Sequence, residues 1–515
     1  MIRFAWVAMA ALPGYEDARP YGTRPAALQE APKPNILWIT CEDISPNLGC
    51  YGDAYAVTPN LDRLASQGVR YTRAFAPIGV CAPARSSLIM GVYATSVGSH
   101  PMRSRADRPD VVKCFPEYLR QAGYYCTNNS KTDYNFPPPA AAWDANDGKA
   151  HWKARKPGQP FFSVFNLTAC HESQIRIGEG AWKQRVATFA PGEVHDPAKA
   201  QIPPYHPDTP EVRKDWARYA DAITLMDKQA GKILAELEAE GLADDTIVMF
   251  FSDHGAGMPR HKRWLYDSSL RVPMIVRVPE RYKAWAPGAP GTASDRLITF
   301  VDYGPTVLHL AGVKVPAHMQ GRPFLGPDLP AARDYVHGFR DRMDERVDML
   351  RCVRDARYKY IRNYMPHRPW AQHVSYMYEM PSMQAWQRLH DQGTLEGPPK
   401  RFFETKPYEE LYDTESDPHE IRNLAGTPEL QPVLERMRAE LDRWMLEIRD
   451  LGFLPEADLR SRFRGRAAYD AVREDPSSYP IDRLMAAAAL AARREASSLP
   501  NLVALLSDGD PAARY

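Results

Sequence analysis

The sequence from Asn35 to Asp43 reads NILWITCED, a short continuous apolar run that ends in an acidic pair. Such a run is typical of a buried strand in a parallel sheet. A second apolar run, residues 246–251, ends in the same way at SDHG, residues 252–255. In open parallel sheets, ligands bind beyond the carboxyl ends of the strands. The sequence therefore predicts that both acidic clusters lie at one edge of one sheet.

Between these two runs, strand patterns alternate with helix patterns. Residues 161–167 form a third apolar run, while residues 59–68 and 216–240 carry apolar side chains at helical spacing. Strands that alternate with helices are typical of an open parallel sheet covered on both faces. We therefore predict an α/β fold with one large, mostly parallel sheet flanked by helices.

The character of the sequence changes from Tyr335 onward. Residues 349–363 alternate as a hairpin would, and residues 428–451 have strong helical periodicity, so we expect a smaller α+β domain here. Two further helical stretches, 481–494 and 499–506, resemble a truncated HEAT-like pair. The predicted boundaries are 1–32 for a leader or lead-in segment, 33–334 for the large N-terminal domain, 335–460 for the smaller C-terminal domain and 461–515 for a helical tail.

The composition excludes several classes of function. A formal net charge of +1 over 515 residues gives no electrostatic reason to bind nucleic acid or an anionic membrane. Beyond the first residues, no apolar run approaches the ~18 to 20 residues of a membrane span. The start of the chain, with Arg3 before the apolar run 4–12, resembles a signal peptide. We therefore expect no nucleic-acid or membrane partner and a periplasmic or secreted protein, with the cytoplasm as the alternative.

The most informative short motif is CAPAR at residues 81–85. Taken alone, a cysteine near a proline is more often a buried apolar residue than a reactive one. The seven cysteines include no Cys-x-x-Cys pair, so they predict neither a disulfide framework nor a zinc site. A reactive role for Cys81 can therefore be inferred only if further motifs in the chain support it.

Several further blocks stand in order around this motif, and together they resemble the sulfatase family over residues 35 to about 451. Chance can supply one such block but hardly all of them in order. The blocks are the strand with Glu42 and Asp43, TPNLD at 58–62, CAPAR at 81–85, the region of Lys131, His171 after a strand, DHG at 253–255, Lys262, RVP at 271–273, and DPHE at 417–420 with Asn423 and Leu424.

This resemblance implies an alkaline phosphatase-like fold, a catalytic role for domain 33–334 and the hydrolysis of sulfate esters or sulfamates. In sulfatases a separate maturation enzyme oxidises the cysteine of the motif to the aldehyde formylglycine, whose hydrate is the nucleophile. The implied catalytic residues are Cys81, Arg85, Lys131, His171 and Lys262. The implied metal ligands are Glu42, Asp43, Cys81, Asp253 and His254, with calcium expected and magnesium or manganese as alternatives. The candidate substrate-binding residues are His100, Arg103, Asp133 and His261.

The resemblance also implies a division of roles. Arg85 and Lys131 would hold the nucleophile, Lys262 would neutralise charge on the sulfuryl oxygens, and His171 would be the general acid for the leaving group. The hydrated aldehyde would attack sulfur, form a covalent sulfo-enzyme and then expel sulfate. The expected partners are a sulfated saccharide and the formylglycine-generating maturation enzyme.

Three positions depart from the usual pattern of the family. Glu42 stands where an aspartate is usual, His254 where asparagine is common, and Asp133 where many members carry a histidine. The last departure leaves open which group regenerates the aldehyde. The candidates are His254, His261, His100 and Asp133.

Two other functions are compatible with the sequence. Phosphonate monoester and phosphodiester hydrolases of the same superfamily share the sheet and the carboxylates, and some share the formylglycine. A non-catalytic binding protein with this fold is the second alternative, although it would be expected to lose a key residue.

The closing segments, residues 410–424 and the helix with Trp444, look most like those of N-sulfoglucosamine sulfohydrolases and heparan sulfatases. The expected substrate is therefore a sulfated sugar or glycosaminoglycan fragment, and the oligomeric state is left open.

Overall fold

The computed structural model describes residues 33–514, and the predicted leader segment 1–32 lies outside the described residues. The strands are β1 (Asn35–Cys41), β2 (Val69–Tyr71), β3 (Ala74–Phe75), β4 (Tyr125–Asn129), β5 (Ala145–Asn146), β6 (Phe161–Leu167), β7 (Thr246–Ser252), β8 (Met274–Arg277), β9 (Ala293–Ser294), β10 (Ile298–Thr299), β11 (Val336–Arg340), β12 (Leu350–Arg354), β13 (Tyr358–Asn363) and β14 (Glu409–Asp413).

The large sheet has the strand order β5-β4-β6-β1-β7-β8-β2-β9 among the described residues. The strands from β5 to β7 are mutually parallel, whereas β8 runs antiparallel to both of its neighbours. In the centre, Cys41 of β1 lies opposite Leu167 of β6 and Ser252 of β7. The carboxyl ends of these three strands therefore meet at one edge, and the predicted α/β fold with a mostly parallel sheet is confirmed.

The helices are α1 (Pro59–Ser66), α2 (Cys81–Met90), α3 (Ala94–Val97), α4 (Phe115–Gln121), α5 (Glu179–Val186), α6 (Pro210–Ala239), α7 (Asp267–Leu270), α8 (Tyr303–Leu310), α9 (Pro381–Asp391), α10 (Gly397–Arg401), α11 (Gln431–Ile448), α12 (Glu456–Arg462), α13 (Ala468–Glu474), α14 (Ile481–Arg493), α15 (Leu499–Leu505) and α16 (Pro511–Arg514). Helix α6 begins six residues earlier than the apolar pattern indicated. Its start is fixed by Thr209, whose side chain accepts a hydrogen bond from the N–H of Val212, and by Pro210 in the first turn.

Helices cover both faces of the large sheet, because side chains alternate between two hydrophobic cores along β1. Trp38 belongs to the core that contains the residues of α2 and α8. Leu37 and Ile39 belong to the other core, together with residues of α1 and α6. Both faces of β1 are therefore buried, which explains its continuous apolar sequence.

A second sheet follows, with the antiparallel order β11-β12-β13-β14. The predicted hairpin 349–363 is formed by β12 and β13, and Asp355 closes its turn by accepting the N–H groups of Arg357 and Tyr358. Helix α11 buries its apolar side, including Trp444, in the core that Trp38 shares. The tail contributes Tyr479 and other residues to the same core. In the part of the chain that the structure describes, no helix has both the length and the apolarity needed to cross a membrane.

Candidate functional site

The carboxyl edge of the large sheet gathers most of the charged residues that the sequence singled out. Asp43 follows β1, Asp253 and His254 follow β7, and His171 and Glu172 follow β6. Among the described residues, Asp43, Asp253 and His254 each offer one ligand atom, and these atoms lie within 4.8 Å of one another. Asp43, His171 and Glu172 form a second such group. The parallel register of β1, β6 and β7 thus concentrates potential metal ligands at one place.

Asp43 is the residue that these two groups share. It is fully buried and has a left-handed backbone with a φ of 55°. Its oxygens lie 3.0 and 2.8 Å from the Lys262 ammonium, and one of them accepts the N–H of Glu172 at 2.7 Å. Burial raises the pKa of Asp43, but the charges of Lys262 and two histidines outweigh it and hold the pKa well below its usual range. Asp43 is therefore a carboxylate, as metal coordination requires.

His254 supplies the observation that tests whether a metal fits. Its Nδ1 lies 2.9 Å from the carbonyl oxygen of Gly255, and a ring nitrogen can bond to a carbonyl only as a donor. The buried Nε2 has no hydrogen-bond partner among the described atoms. This nitrogen lies 3.0 Å from Oδ1 of Asp43. A ring nitrogen and a carboxylate oxygen this close need a positive charge, which either a proton on Nε2 or a metal ion bound by both atoms supplies, so a divalent metal fits here.

Glu42 and Cys81, which were also predicted as ligands, belong to neither of these groups in the described residues. The Glu42 carboxylate instead pairs with the ammonium of Lys131, and it lies 3.6 Å from Nη2 of Arg85. Charges on Cys81 and Glu42 raise the pKa of Lys131 against the effect of its burial. Asp133, with a φ of 52°, lies 3.7 Å from Lys131. Glu42 thus balances two cations in this structure.

Cys81 is the first residue of α2, a helix whose residues are all buried. Only 5% of the Cys81 surface is exposed. Burial raises the pKa of this thiol to about 12, although Lys131 and Lys262 oppose the shift and Asp253 adds to it. The thiolate is the reactive form of cysteine. As an encoded residue, Cys81 is therefore a weak nucleophile near neutral pH.

Arg85 lies one helical turn after Cys81 on the same face of α2. Its Nε donates to Oδ2 of Asp253 at 3.0 Å, and its Nη1 donates to Oδ1 of Asn166 at 2.7 Å. These bonds, with the approach to Glu42, connect the helix to the ends of β7, β6 and β1. A single guanidinium thus fixes α2 against the sheet edge.

His171 borders the same cluster. Its Nδ1 lies 2.9 Å from the hydroxyl of Ser173, and the ring is only partly buried. Burial lowers the pKa of His171, although the carboxylate of Asp43 opposes that shift. A partly exposed imidazole beside the carboxylates can exchange a proton with a ligand that enters from solvent.

Three of the predicted substrate-binding residues form their contacts with groups outside the carboxylate cluster. The ring of His100 is buried, burial lowers its pKa to about 4, and it lines a cavity of about 590 Å³ beside the helical tail. His261 bonds instead to the hydroxyl of Tyr205 at 2.8 Å. Arg103 is largely exposed and lies 3.2 Å from Asp344. Their substrate-binding roles stay predictions.

Three residues of the site were not predicted from the sequence. Asn166, near the end of β6, accepts hydrogen bonds from Arg85 and from the hydroxyl of Thr40. Glu172 and Arg263 form a buried pair with two hydrogen bonds of 2.8 and 3.0 Å. Burial raises the pKa of Glu172, but Arg263 and Lys262 outweigh it and hold the pKa at about 2. Glu172 and Arg263 directly follow His171 and Lys262, which were predicted, and this adjacency was the signal in the sequence that could have indicated them.

Comparison with known families agrees with this site. Residues 34–313 match the sulfatase family, and residues 258–376 match the family described as N-sulphoglucosamine sulphohydrolase, C-terminal. An ulvan-active sulfatase from Formosa agariphila is 39% identical over 90% of this chain and 83% of its own length. The N-sulphoglucosamine sulphohydrolase of Homo sapiens is 26% identical over 81% of this chain and 90% of its own length.

Two solved structures share the fold at low identity. One is a protein solved in complex with its substrate, D-glucosamine-2-N,6-O-disulfate. It matches with a TM-score of 0.61 and 18% identity, over 81% of this chain and 98% of that one. The other is a phosphonate monoester hydrolase from Silicibacter pomeroyi, with a TM-score of 0.59, 18% identity and coverage of 82% and 96%. Both structures have the fold that this chain shows, a large, mostly parallel sheet with helices on both of its faces. The chain belongs to the sulfatase family and is a sulfuric ester hydrolase.

Proposed function

We propose that this sulfatase hydrolyses a sulfate ester or sulfamate on a sulfated saccharide, by means of a formylglycine made from Cys81 and with a divalent metal. The observation that carries the proposal is the position of Cys81. It lies at the start of a buried helix, and the charges of Lys131, Lys262 and Asp253 act on it. The thiol pKa of about 12 makes Cys81 a poor nucleophile as encoded, but burial raises the pKa of Cys50 and Cys352 just as far. What favours modification at Cys81 is its place in the CAPAR motif among the charged groups of the site.

The metal would be held by Asp43, Asp253 and His254, and the carboxylate oxygens of the two aspartates suit calcium, magnesium or manganese. A divalent cation at this place supplies positive charge for the sulfuryl oxygens. A cation bound by both groups would also balance the 3.0 Å approach of Nε2 of His254 to the Asp43 carboxylate. The Glu42 carboxylate pairs with Lys131 and Arg85, as Asp43 pairs with Lys262 and Asp253 with Arg85, so its ion pairs do not remove it from the predicted ligands.

The side chains around residue 81 suit a sulfuryl transfer. Arg85 fixes the helix that carries the nucleophile, and Lys131 places a positive charge beside it. Lys262, which is buried, would neutralise charge on the sulfuryl oxygens. His171 would give a proton to the departing oxygen or nitrogen, because it is the partly exposed imidazole at this edge.

The substrate class follows from the relatives. The named activities of two of them concern ulvan and N-sulphoglucosamine, and one structure of this fold holds a glucosamine disulfate. We therefore propose a sulfated sugar or glycosaminoglycan fragment as the substrate. Domain 33–334 would carry the catalytic groups, and the maturation enzyme would be a required partner.

The nucleophile is tested by mass spectrometry together with an activity panel. The tryptic peptide 74–85 should show sulfur replaced by oxygen and two hydrogens lost when the protein is matured. The Cys81→Ser variant should release no sulfate from sulfated sugars, while the Cys50→Ser variant, at a half-buried cysteine elsewhere, should match the wild type. Matured protein that cleaves phosphonate monoesters or phosphodiesters and releases no sulfate would contradict the proposed substrate class.

The role of His171 is tested by varying the leaving group. A general acid contributes about 10² to 10⁴-fold when the leaving oxygen is basic. The His171→Gln variant should therefore lose much more activity on a sugar sulfate than on an aryl sulfate with an acidic phenol. The His390→Gln variant replaces a histidine that stacks on Phe403 and serves as the control. Equal losses on both substrates would remove the general-acid assignment.

A further inference from the structure

Glu172 is a buried carboxylate at the site that the proposed roles do not use. It directly follows His171, and only 2% of its surface is exposed. Its backbone N–H donates to Oδ2 of Asp43 at 2.7 Å, so the residue is fixed against that carboxylate. One oxygen of each carboxylate also lies within 4.8 Å of the other, and two buried carboxylates at this distance are costly unless cations neutralise them.

Two cations meet the Glu172 side chain. The guanidinium of Arg263 donates to both carboxylate oxygens, at 3.0 and 2.8 Å, in the two-pronged geometry that makes such pairs strong. Oε1 also lies 3.0 Å from Nζ of Lys262. All three side chains are buried, with exposed fractions of 3% or less.

Lys262 is consequently shared by two carboxylates. Its ammonium has three protons to donate. Two oxygens of Asp43 accept hydrogen bonds at 3.0 and 2.8 Å, and Oε1 of Glu172 forms an ion pair with the same nitrogen at 3.0 Å. The ion pair with Glu172 gives the ammonium a second carboxylate besides Asp43, and Arg263 neutralises part of the negative charge of Glu172.

We propose that Glu172, in its pair with Arg263, is a positioning residue that sets where the Lys262 ammonium lies and how freely the Asp43 carboxylate can bind a cation. Without Glu172, Lys262 would pair with Asp43 alone and would compete more strongly with a metal. Without Arg263, Glu172 would hold Lys262 more firmly and Asp43 would be freer. The inference rests on the proposed function for the contact of Lys262 with the sulfuryl group.

The two charges can be removed separately or together. Partners that orient metal ligands typically contribute about 10 to 100-fold to metal affinity or activity. We expect the Glu172→Gln variant to bind Ca²⁺ about 10-fold or more weakly in a calorimetric titration, whereas Arg263→Gln should bind it at least as tightly as the wild type. The double variant Glu172→Gln/Arg263→Gln keeps the net charge and leaves neither charge unpaired, yet it should still show the weaker binding. On a sulfated sugar, Glu172→Gln should lower kcat more than it raises KM.

The controls separate this inference from the proposed function. Glu238→Gln removes a surface carboxylate paired with Arg63 and should change neither binding nor turnover. A double variant with wild-type Ca²⁺ affinity would show that Glu172 only neutralises Arg263, which would overturn the proposal. If Glu172→Gln fails to fold, the double variant decides the matter. If the wild type binds no Ca²⁺ or releases no sulfate, the proposed function fails. The positioning role of Glu172 is then tested by a crystal structure of the double variant. An Nζ of Lys262 in its wild-type position in that structure would overturn the positioning role.

Discussion

The thiol form of Cys81 offers a quantitative test of the reasoning about this site. The protein can be produced in a host that lacks the maturation enzyme, which leaves the cysteine unmodified. Burial raises the pKa of the thiol from an ordinary value of 9.0 to about 12. At pH 8 the thiolate population is then about 10³-fold smaller than that of an unperturbed thiol, a difference of about 4 kcal/mol. Each remaining thiolate is more nucleophilic, by about 20-fold for a shift of this size.

The net expectation is alkylation on the order of 50-fold slower than for an ordinary thiol, with the burial of Cys81 slowing it further. Because the folded pKa lies above the working range, the rate should rise about tenfold for each pH unit from pH 7 to 10. The assay follows iodoacetamide labelling of peptide 74–85 by mass spectrometry. A synthetic peptide of the same residues is the matched control, and labelling of both at one rate would refute the argument from burial. The thiol form should release sulfate at a negligible rate, and turnover within tenfold of the matured enzyme would refute the need for modification.

Three further changes test the scaffold of the site. Arg85→Met leaves the buried carboxylates of Asp253 and Glu42 without their guanidinium, so we expect a loss of about 3 to 5 kcal/mol in the free energy of unfolding, measured by urea denaturation; a loss below about 1 kcal/mol would contradict the role of Arg85. Gly257→Ala would bring a Cβ within 3.0 Å of Asp43 and 2.9 Å of Glu172, so Ca²⁺ affinity should fall, while Gly148→Ala, which meets nothing within 4 Å, should bind normally. Removal of divalent metal by EDTA should lower the unfolding temperature, and Ca²⁺ should restore it in the wild type but less well in His254→Ala; equal recovery would exclude His254 as a ligand.

The sequence was sufficient to predict the arrangement of the sheet edge. The apolar runs of β1, β6 and β7 are long and uninterrupted because these strands are buried on both faces, and each run ends close to where the strand ends. Given parallel strands, the residues that follow them must converge, and Asp43, Asp253 and His254 do so. The apolar pattern of parallel strands and the residues that follow each strand were thus enough to predict which side chains meet at this edge.

The sequence did not predict which way individual side chains point. His261 and Lys262 are neighbours, yet one bonds to Tyr205 and the other to Asp43, because the loop between β7 and α7 has no regular period. Arg260 and Arg263, which flank this pair, both have left-handed backbones, with φ values of 63° and 84°. No local pattern in the sequence indicated these conformations. Asn166 was missed because an uncharged amide within a strand resembles an ordinary polar residue.

The central place of β1 has a consequence for the synthesis of the chain. Trp38 of β1 contacts Met249 of β7, a residue 211 positions later. At about 5 to 20 residues per second, a ribosome adds that stretch in about 10 to 40 s. During this interval β7 does not yet exist, and for more than half of it the other neighbour of β1, β6, has not been made either. The strand that organises the finished sheet is therefore also the segment that most needs protection from aggregation in the nascent protein.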